Sequence, residues 1–374
     1  MKATLSLTHR CNLACRYCYS GRSMKPDMSP EIAIKSVDFV LGLSGKDNHI
    51  NFGFFGGEPL LRFDLIRHIV PYIRQKALEA GKDVSFSITT NGTILTTEIT
   101  DFFREENFDV CVSLDGPQPV HDKNRVFHNG RGSYSKVINH LKIAQEQLGQ
   151  IQVNSVYSPE TVPDLPENLE LFLDLDLPVI HFNPNIQATW TEDALKFIKP
   201  AFLKIAERYI ECYESGRELA VNFIDSKLIL FLKNGYSQLD ICGMGKSEWG
   251  IAPSGNIYAC ERLIGEDEGS VFCLGNIDTG LDPARHCKIS ARQFNRNLAC
   301  RDCDLRKFCM NWCGCSNYYQ TGSIDVAGLM ICAIEHAAIN AAQQVFITLN
   351  EQKNELFLDH LWHYADCGQK FRLI

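Results

Sequence analysis

Three cysteines crowd the stretch CNLACRYCYS (residues 11–20), at Cys11, Cys15 and Cys18, with no fourth close by. Thiolates so spaced are ligands for zinc or for iron–sulfur clusters, and both a structural zinc site and a complete [4Fe–4S] cluster take four protein ligands. Three leave a corner open for a group that is not protein, unless a zinc loop is completed from elsewhere in the chain. A second region is denser. Cys242 is followed by Gly255 and Cys260, then by Cys300, Cys303, Cys309 and Cys313 in the spacing C-x2-C-x5-C-x3-C, and finally by Cys332. The chain holds 16 cysteines among 374 residues and no export signal, so clustered thiols read as metal ligands rather than as disulfides. The scattered Cys111, Cys212 and Cys367 read as small buried side chains, and Cys287 and Cys367 as non-ligands.

The elements that must position these groups alternate along the first half of the chain. ATLSLT (3–8), HINFGFFGG (49–57), VSFSITTNG (84–92), FDVCVSLDG (108–116), IQVNSVYS (151–158) and PVIHFNPN (178–185) read as strands. Helices are expected over 30–43 and 63–80, with helix-like segments between most of the others. Such alternation predicts an α/β fold with a parallel sheet, and six units predict a partial (β/α)6 TIM-like barrel rather than a closed eightfold one. Reactive groups then belong at the C-terminal ends of the strands. The first cysteine loop, GGEP (56–59), NGT (91–93) and DGP (115–117) all fall there. The expected domains are the barrel over 1–190, a helical bridge over 191–235, a small metal-held domain over 236–350 with a long helix over 326–349, and a tail over 351–374. The acidic run EDEG (266–269) reads as a solvated loop.

Composition narrows the partners. A hydrophobic fraction of 45% suits a globular chain with one large and one smaller core. A formal net charge of −8, without a basic block, argues against nucleic acid. No signal-peptide core and no membrane-length apolar run appear, so a cytoplasmic chain without a membrane partner is expected.

With Tyr17 just before its last cysteine, the first loop resembles the cluster motif of radical S-adenosylmethionine (radical SAM) enzymes. The resemblance implies three thiolates on a [4Fe–4S] cluster whose fourth iron takes the amino and carboxylate groups of S-adenosylmethionine. One-electron reduction then yields a 5′-deoxyadenosyl radical, the cofactors supplying the chemistry and the protein the orientation. It further implies that Gly56, Gly57, Glu58 and Pro59 receive the methionyl ammonium, the glycines by close backbone approach and Glu58 by charge. Ser113 is a candidate ribose contact. Arg125 is a candidate for the carboxylate through a bidentate pair, or else belongs to a surface salt bridge.

The later cysteines resemble the SPASM extension of the same enzymes, which binds two auxiliary [4Fe–4S] clusters. By that resemblance Cys300, Cys303, Cys309 and Cys332 hold the outer cluster, and Cys242, Cys260 and Cys313 three corners of the inner one. Sulfatase-maturating members carry a further cysteine six residues after the first. Here that position is Glu248, so Cys273, Cys315 or Glu248 completes the inner cluster, or an iron stays open to a substrate thiolate. Glu261 follows Cys260, where those members hold a proton-accepting Asp, and is the candidate general base or else a solvated or salt-bridged carboxylate.

The resemblance implies an enzyme that oxidatively modifies a ribosomally made peptide or protein, as a thioether or carbon–carbon cross-link. It also implies an electron donor such as flavodoxin or ferredoxin. Because the motif begins at residue 11, leader binding is expected from the barrel, the tail or a separate protein. The second reading is an anaerobic sulfatase maturase converting Cys or Ser to formylglycine. A third, a non-catalytic metal-binding or electron-carrier protein, leaves the six-unit barrel, GGEP and the three-cysteine loop without a purpose.

Overall fold

The computed structural model describes residues 1–20, 26–237, 240–291 and 298–367, with residues 299 and 363–367 described in backbone only. The Cys367 side chain and residues 368–374 of the expected tail lie outside the described residues. In chain order the strands are β1 (Lys2–Ser6), β2 (His49–Phe55), β3 (Asp83–Thr90), β4 (Phe108–Ser113), β5 (Gln152–Tyr157), β6 (Val179–Pro184), β7 (Ala220–Val221), β8 (Glu248–Ile251), β9 (Asn256–Tyr258), β10 (Cys273–Asn276) and β11 (Gly280–Leu281). The helices are α1 (Pro30–Leu43), α2 (Phe63–Glu79), α3 (Thr97–Glu105), α4 (Gln118–Asn124), α5 (Tyr134–Leu148), α6 (Leu165–Asp174), α7 (Glu192–Leu195), α8 (Ile198–Glu214), α9 (Asn222–Leu232), α10 (Pro283–Ser290), α11 (Gly314–Thr321), α12 (Leu329–Glu351) and α13 (Glu355–Cys367). All six expected strands are present, each followed by at least one helix.

The chain divides into two compact units. The first comprises Met1–Ser113, Asp122–Ile151 and Cys242–Gln293. Its strands run β11-β10-β9-β8-β1-β2-β3-β4, with β8, β1, β2, β3 and β4 parallel and the β8–β11 meander antiparallel. The stretch from Cys242 therefore enters this sheet directly, Lys2–Leu5 pairing with Glu248–Ile251. Gly255, between β8 and β9, takes φ +81°, which explains why glycine stands in the turn.

Side chains alternate across these strands, and the two faces differ in kind. One presents Ala3, Leu5, Ile50, Phe52, Phe54, Phe86, Ile88, Val110 and Val112, all buried. Phe108 stacks on Phe86 and Phe103, with ring centroids at 5.2 and 4.6 Å, sealing the strands onto α3. The other face is small and polar: Thr4, Ser6, Asn51, Ser87, Cys111 and Ser113 are buried there. Asn51 donates to Ser85 Oγ at 2.9 Å and accepts from Ser87 Oγ at 3.0 Å. A parallel sheet packed on both faces reads as continuous hydrophobic runs. This one keeps a hydrogen-bonding floor instead.

The second unit comprises Leu114–His121, Gln152–Ile241 and the chain from Phe294 onward. Here β5, β6 and β7 are parallel, and Asn183 Nδ2 donates to Asn154 Oδ1 at 2.7 Å. The stretch read as wholly helical contains β7, whose two residues pair with Val179 and Ile180. Among the described residues no helix is long and apolar enough to cross a membrane.

Candidate functional site

The loop after β1 is fixed on both sides by main chain. Gly57 N donates to Thr8 O at 2.7 Å and Glu58 N to Arg10 O at 2.9 Å. The contact is so close that a Cβ on Gly56 would lie 2.4 Å from Thr8 O, and one on Gly57 2.1 Å from Arg10 O. This is why GGEP opens with two glycines. On the other side Ala14 N donates to Val126 O at 2.7 Å, Arg16 N to Asn124 O at 3.1 Å, and His128 Nε2 lies 2.8 Å from Cys11 O. Cys11 thus starts from a clamped position, Cys15 is half-buried and Cys18 is exposed.

Two N–H groups point at the Cys11 sulfur, Leu13 N at 3.4 Å and Asn91 Nδ2 at 3.7 Å. Burial pushes the Cys11 thiol up to about 12, opposed by the Leu13 amide and reinforced by Glu58, Cys15 and Cys18. The three thiols are therefore within electrostatic reach of one another. Among the described residues, no three Cys, His, Asp or Glu side chains converge tightly enough to hold a metal ion. What fits a cluster is the donor set: three thiols on one clamped loop, with N–H groups ready for a thiolate at Cys11. Metal coordination is the usual route by which such a buried thiol gives up its proton.

Glu58 is fully buried and ties β2 to β3. Its carboxylate accepts from Thr90 Oγ1 at 2.7 Å, Asn91 N at 2.7 Å and Leu60 N at 3.1 Å, and so caps the short turn Pro59–Arg62. Burial nonetheless raises its pKa to about 7, outweighing those donors and the charge of Arg125. From Asn91 the network reaches the cysteine loop, Asn91 Nδ2 donating to Asn12 Oδ1 at 2.8 Å and Asn12 Nδ2 to Thr93 Oγ1 at 2.7 Å. Asn12 and His128 are functional neighbours of the loop that cysteine spacing alone does not mark; for Asn12 the signal is the polar residue directly after Cys11, facing the Asn91 and Thr93 of TTNGT.

Arg125 is buried, with its guanidinium over the Tyr17 ring at 5.3 Å. Ser113 is buried at the C-terminal end of β4.

Also in the first unit, the Cys242 thiol donates to Glu248 Oε2 at 3.3 Å and the Cys260 thiol to Glu261 Oε2 at 3.5 Å. Burial opposes ionisation of Glu261, but the charges of Lys2 and Arg262 prevail and hold its pKa below the ordinary value. Burial and the neighbouring Glu261 charge push Glu248 the other way. Cys273 is buried, donating to Gly275 O at 3.4 Å. The EDEG run is a correction. Glu266 and Glu268 are exposed, but Asp267 is fully buried, accepting from Ser254 N, Asn256 Nδ2 and Tyr258 OH at 3.0–3.3 Å, with His9 Nε2 at 4.0 Å. Asp267 itself takes φ +57°, between glycines at positive φ on either side, Gly265 and Gly269.

In the second unit Cys313 Sγ lies 3.6 Å from Cys315 Sγ. Cys332 is raised by burial and then by Cys300 and Cys303, and Cys309 also feels Cys300, so these four sulfurs share one neighbourhood. Cys303 Sγ is 3.9 Å from His336 Nε2. Cys111 and Cys212 are buried, as expected, and Cys287 is exposed.

A strand–helix fold that gathers thiols and a clamped carboxylate at the ends of its parallel strands is the class of protein the cysteine spacing led us to expect. The family described as the radical SAM superfamily matches residues 5–171. An uncharacterized protein of Methanocaldococcus jannaschii is 30% identical over 277 residues, covering 73% of this chain and 87% of that one. A cysteine-type anaerobic sulfatase-maturating enzyme of Clostridium novyi is 24% identical over 321 residues, 81% of this chain and 84% of its own. Among solved structures, anSMEcpe with bound AdoMet aligns at a TM-score of 0.80 with 19% identity over 97% of this chain and 98% of that one. Streptococcus suis SuiB bound to its precursor peptide SuiA aligns at 0.59 with 14% identity, covering 88% of this chain and 75% of SuiB. The chain belongs to the radical SAM superfamily and is a radical SAM enzyme with the partial-barrel fold; membership implies a [4Fe–4S] cluster and S-adenosylmethionine.

Proposed function

We propose that this enzyme oxidatively modifies a ribosomally made peptide or protein, forming a thioether or carbon–carbon cross-link. Cys11, Cys15 and Cys18 would hold the cluster that takes S-adenosylmethionine. When bound, these groups supply a radical able to abstract hydrogen from substrate. Main-chain carbonyls of the Gly56–Gly57 segment would take the methionyl ammonium, because the Glu58 carboxylate is already committed to Thr90, Asn91 and Leu60. Arg125 would meet the carboxylate from its platform on Tyr17, and Ser113 the ribose. Glu261, kept ionised by Lys2 and Arg262, would accept the proton leaving the substrate.

The observation that carries the peptide reading is the polar floor of the first unit. Thr4 and Ser6 bring hydroxyls suited to a substrate main chain to that face, while Asn51, Ser85 and Ser87 hydrogen-bond one another. The named relatives include enzymes that act on proteins and peptides. We further read Cys300, Cys303, Cys309 and Cys332 as the outer auxiliary site of a SPASM domain over 236–350, and Cys242, Cys260 and Cys313 as ligands of the inner one. An electron carrier of the flavodoxin or ferredoxin type would supply reducing equivalents.

The second reading, formylglycine formation, is supported by the likeness to the anaerobic sulfatase-maturating enzyme of Clostridium novyi over 81% of this chain. Glu248 beside Cys242, where sulfatase maturases hold cysteine, speaks for the first. Anaerobic incubation with S-adenosylmethionine, reductant and Cys-containing peptides, followed by intact-mass analysis, separates them. Loss of two hydrogens with the thiol blocked to alkylation supports a thioether, and loss of two hydrogens with the thiol free a carbon–carbon bond. Replacement of the Cys sulfur by a carbonyl oxygen would overturn cross-linking in favour of maturation.

A further inference from the structure

The second unit buries a complete ion pair against the segment that carries Cys309. Lys227, on α9, is 2% exposed and Glu335, on α12, 4%. Lys227 Nζ lies 2.7 Å from Glu335 Oε2. A buried pair of this kind gains little over a well-packed apolar pair unless its remaining donors and acceptors are used. Here they are used on the two neighbours of one cysteine. Lys227 Nζ donates to Phe308 O at 3.1 Å, and Glu335 Oε2 accepts from Met310 N. Cys309, between them, is the most buried of the four cysteines read as outer-site ligands.

The surroundings repeat the design. Cys332, Glu335 and His336 stand at i, i+3 and i+4 on α12, which puts them on one helical face. Cys332 feels Cys300 and Cys303 electrostatically, Glu335 holds the Met310 amide, and His336 lies against Cys303. At the end of α9, Gly235 takes φ +114° and lets Tyr236 N donate to Lys307 O at 2.9 Å; a Cβ there would lie 2.9 Å from the same oxygen. Tyr236 then places its ring 5.6 Å from Lys227 Nζ.

We propose that Lys227 and Glu335 are a positioning pair for Cys309, fixing its sulfur and setting the reduction potential of the outer auxiliary cluster by their two opposed charges. This rests on reading Cys300, Cys303, Cys309 and Cys332 as that cluster's ligands. Reduction adds one negative charge to a cluster, so a nearby cation favours it and a nearby anion opposes it. Lys227→Met leaves Glu335 uncompensated and lowers the potential. Glu335→Gln leaves Lys227 uncompensated and raises it.

The test uses the full chain with Cys11, Cys15 and Cys18 replaced by Ala, reconstituted anaerobically and titrated with dithionite under electron paramagnetic resonance. Cys300→Ala/Cys303→Ala in that background must first remove one cluster's iron; if the iron is unchanged, the outer-cluster reading itself fails. Given that loss, the two single variants should shift one midpoint in opposite directions by about tenfold in the reduction equilibrium, about 59 mV for one electron. Lys227→Arg should restore most of it. Unchanged midpoints, or shifts of the same sign, would overturn the proposal. Should either single variant fail to fold, Lys227→Met/Glu335→Leu keeps an uncharged pair. The proposal then requires faster loss of the outer iron from that folded double variant, and iron retention like the parent's sinks it.

Discussion

The loop that carries Cys11 is held by backbone: Thr8 and Arg10 pair with Gly57 and Glu58 like an added strand, and Ala14 and Arg16 with Val126 and Asn124. The segment that carries Cys309 is held by side chains: Lys227 and Glu335 reach from two helices to its flanking carbonyl and amide. Main-chain pairing needs glycine where the backbones meet, and tolerates almost any side chain elsewhere. Side-chain clamping needs particular charges far apart in sequence. The first plan leaves Cys18 exposed at the end of its loop; the second buries Cys309.

The largest effect should come from the loop's ligands. Cys15→Ala is expected to abolish 5′-deoxyadenosine formation and remove one cluster's iron, while the remaining iron persists. Loss of all iron would mean that the two regions are not independent sites, which breaks the comparison at its root.

Next comes Gly57→Ala. Its Cβ would sit 2.1 Å from Arg10 O, a backbone atom that cannot rotate away. The variant should lose about 3 kcal/mol in denaturant unfolding and bind iron poorly at the first loop. Gly42→Ala, on α1 with nothing within 4 Å, is the matched control and should be neutral or slightly stabilising. Equal behaviour of the two would show that the close approach does not position Cys11.

This contrast also explains what could be read in advance. Backbone-held features announce themselves locally: the two glycines of GGEP, the three-cysteine spacing, and Ser29-Pro30, whose hydroxyl caps α1 by accepting from Ile32 N at 3.1 Å, so that the helix spans Pro30–Leu43 as expected. Most of the six strands were legible because one face carries an apolar period of two, as Ile50, Phe52 and Phe54 do on β2 and Phe108, Val110 and Val112 on β4. Features made by distant partners were not. Lys227 and Glu335 are 108 residues apart, and neither neighbourhood says that its charge is buried. Asp267 sits in an acidic run whose composition suggests solvent, and its partners lie at Ser254, Asn256 and Tyr258 on another strand and turn. The strand β7 has only two residues, too few for any period to show between α8 and α9.

Glu58 sharpens the comparison through pH. Its pKa rises from 4.5 to about 7 on folding, so the folded chain holds a proton that the unfolded chain has lost between those values. Stability from this group is complete below pH 4.5 and falls as pH rises toward 7, by roughly 3 kcal/mol at pH 8. Glu58→Gln should remove that slope, whatever its offset from one donor meeting another at Asn91 N. Chemical denaturation of metal-free protein at pH 5 and pH 8 measures it. Parallel slopes in parent and variant would show that the carboxylate is not the strained element of the first loop.

The smallest expected effect asks whether the first loop also depends on a side chain. Asp267 accepts three hydrogen bonds in a buried site, and His9, two residues before Cys11, faces it at 4.0 Å. Burial works against its ionisation, but the facing His9 and the donors from Ser254, Asn256 and Tyr258 win and hold the carboxyl below its ordinary range. A depressed carboxylate contributes stability above the unfolded pKa and loses it as pH falls through the folded one. Asp267→Asn, which turns an amide N–H toward groups that already donate, should cost about 1–3 kcal/mol at pH 7. The two proteins should converge in acid. Iron content at the first loop decides the rest. If the variant is destabilised but binds that cluster normally, the backbone pairing with GGEP is sufficient and the two regions follow distinct plans. If iron is lost along with stability, His9 and Asp267 act on the first loop as Lys227 and Glu335 act on Cys309, and both regions rely on a buried charged group to aim a cysteine.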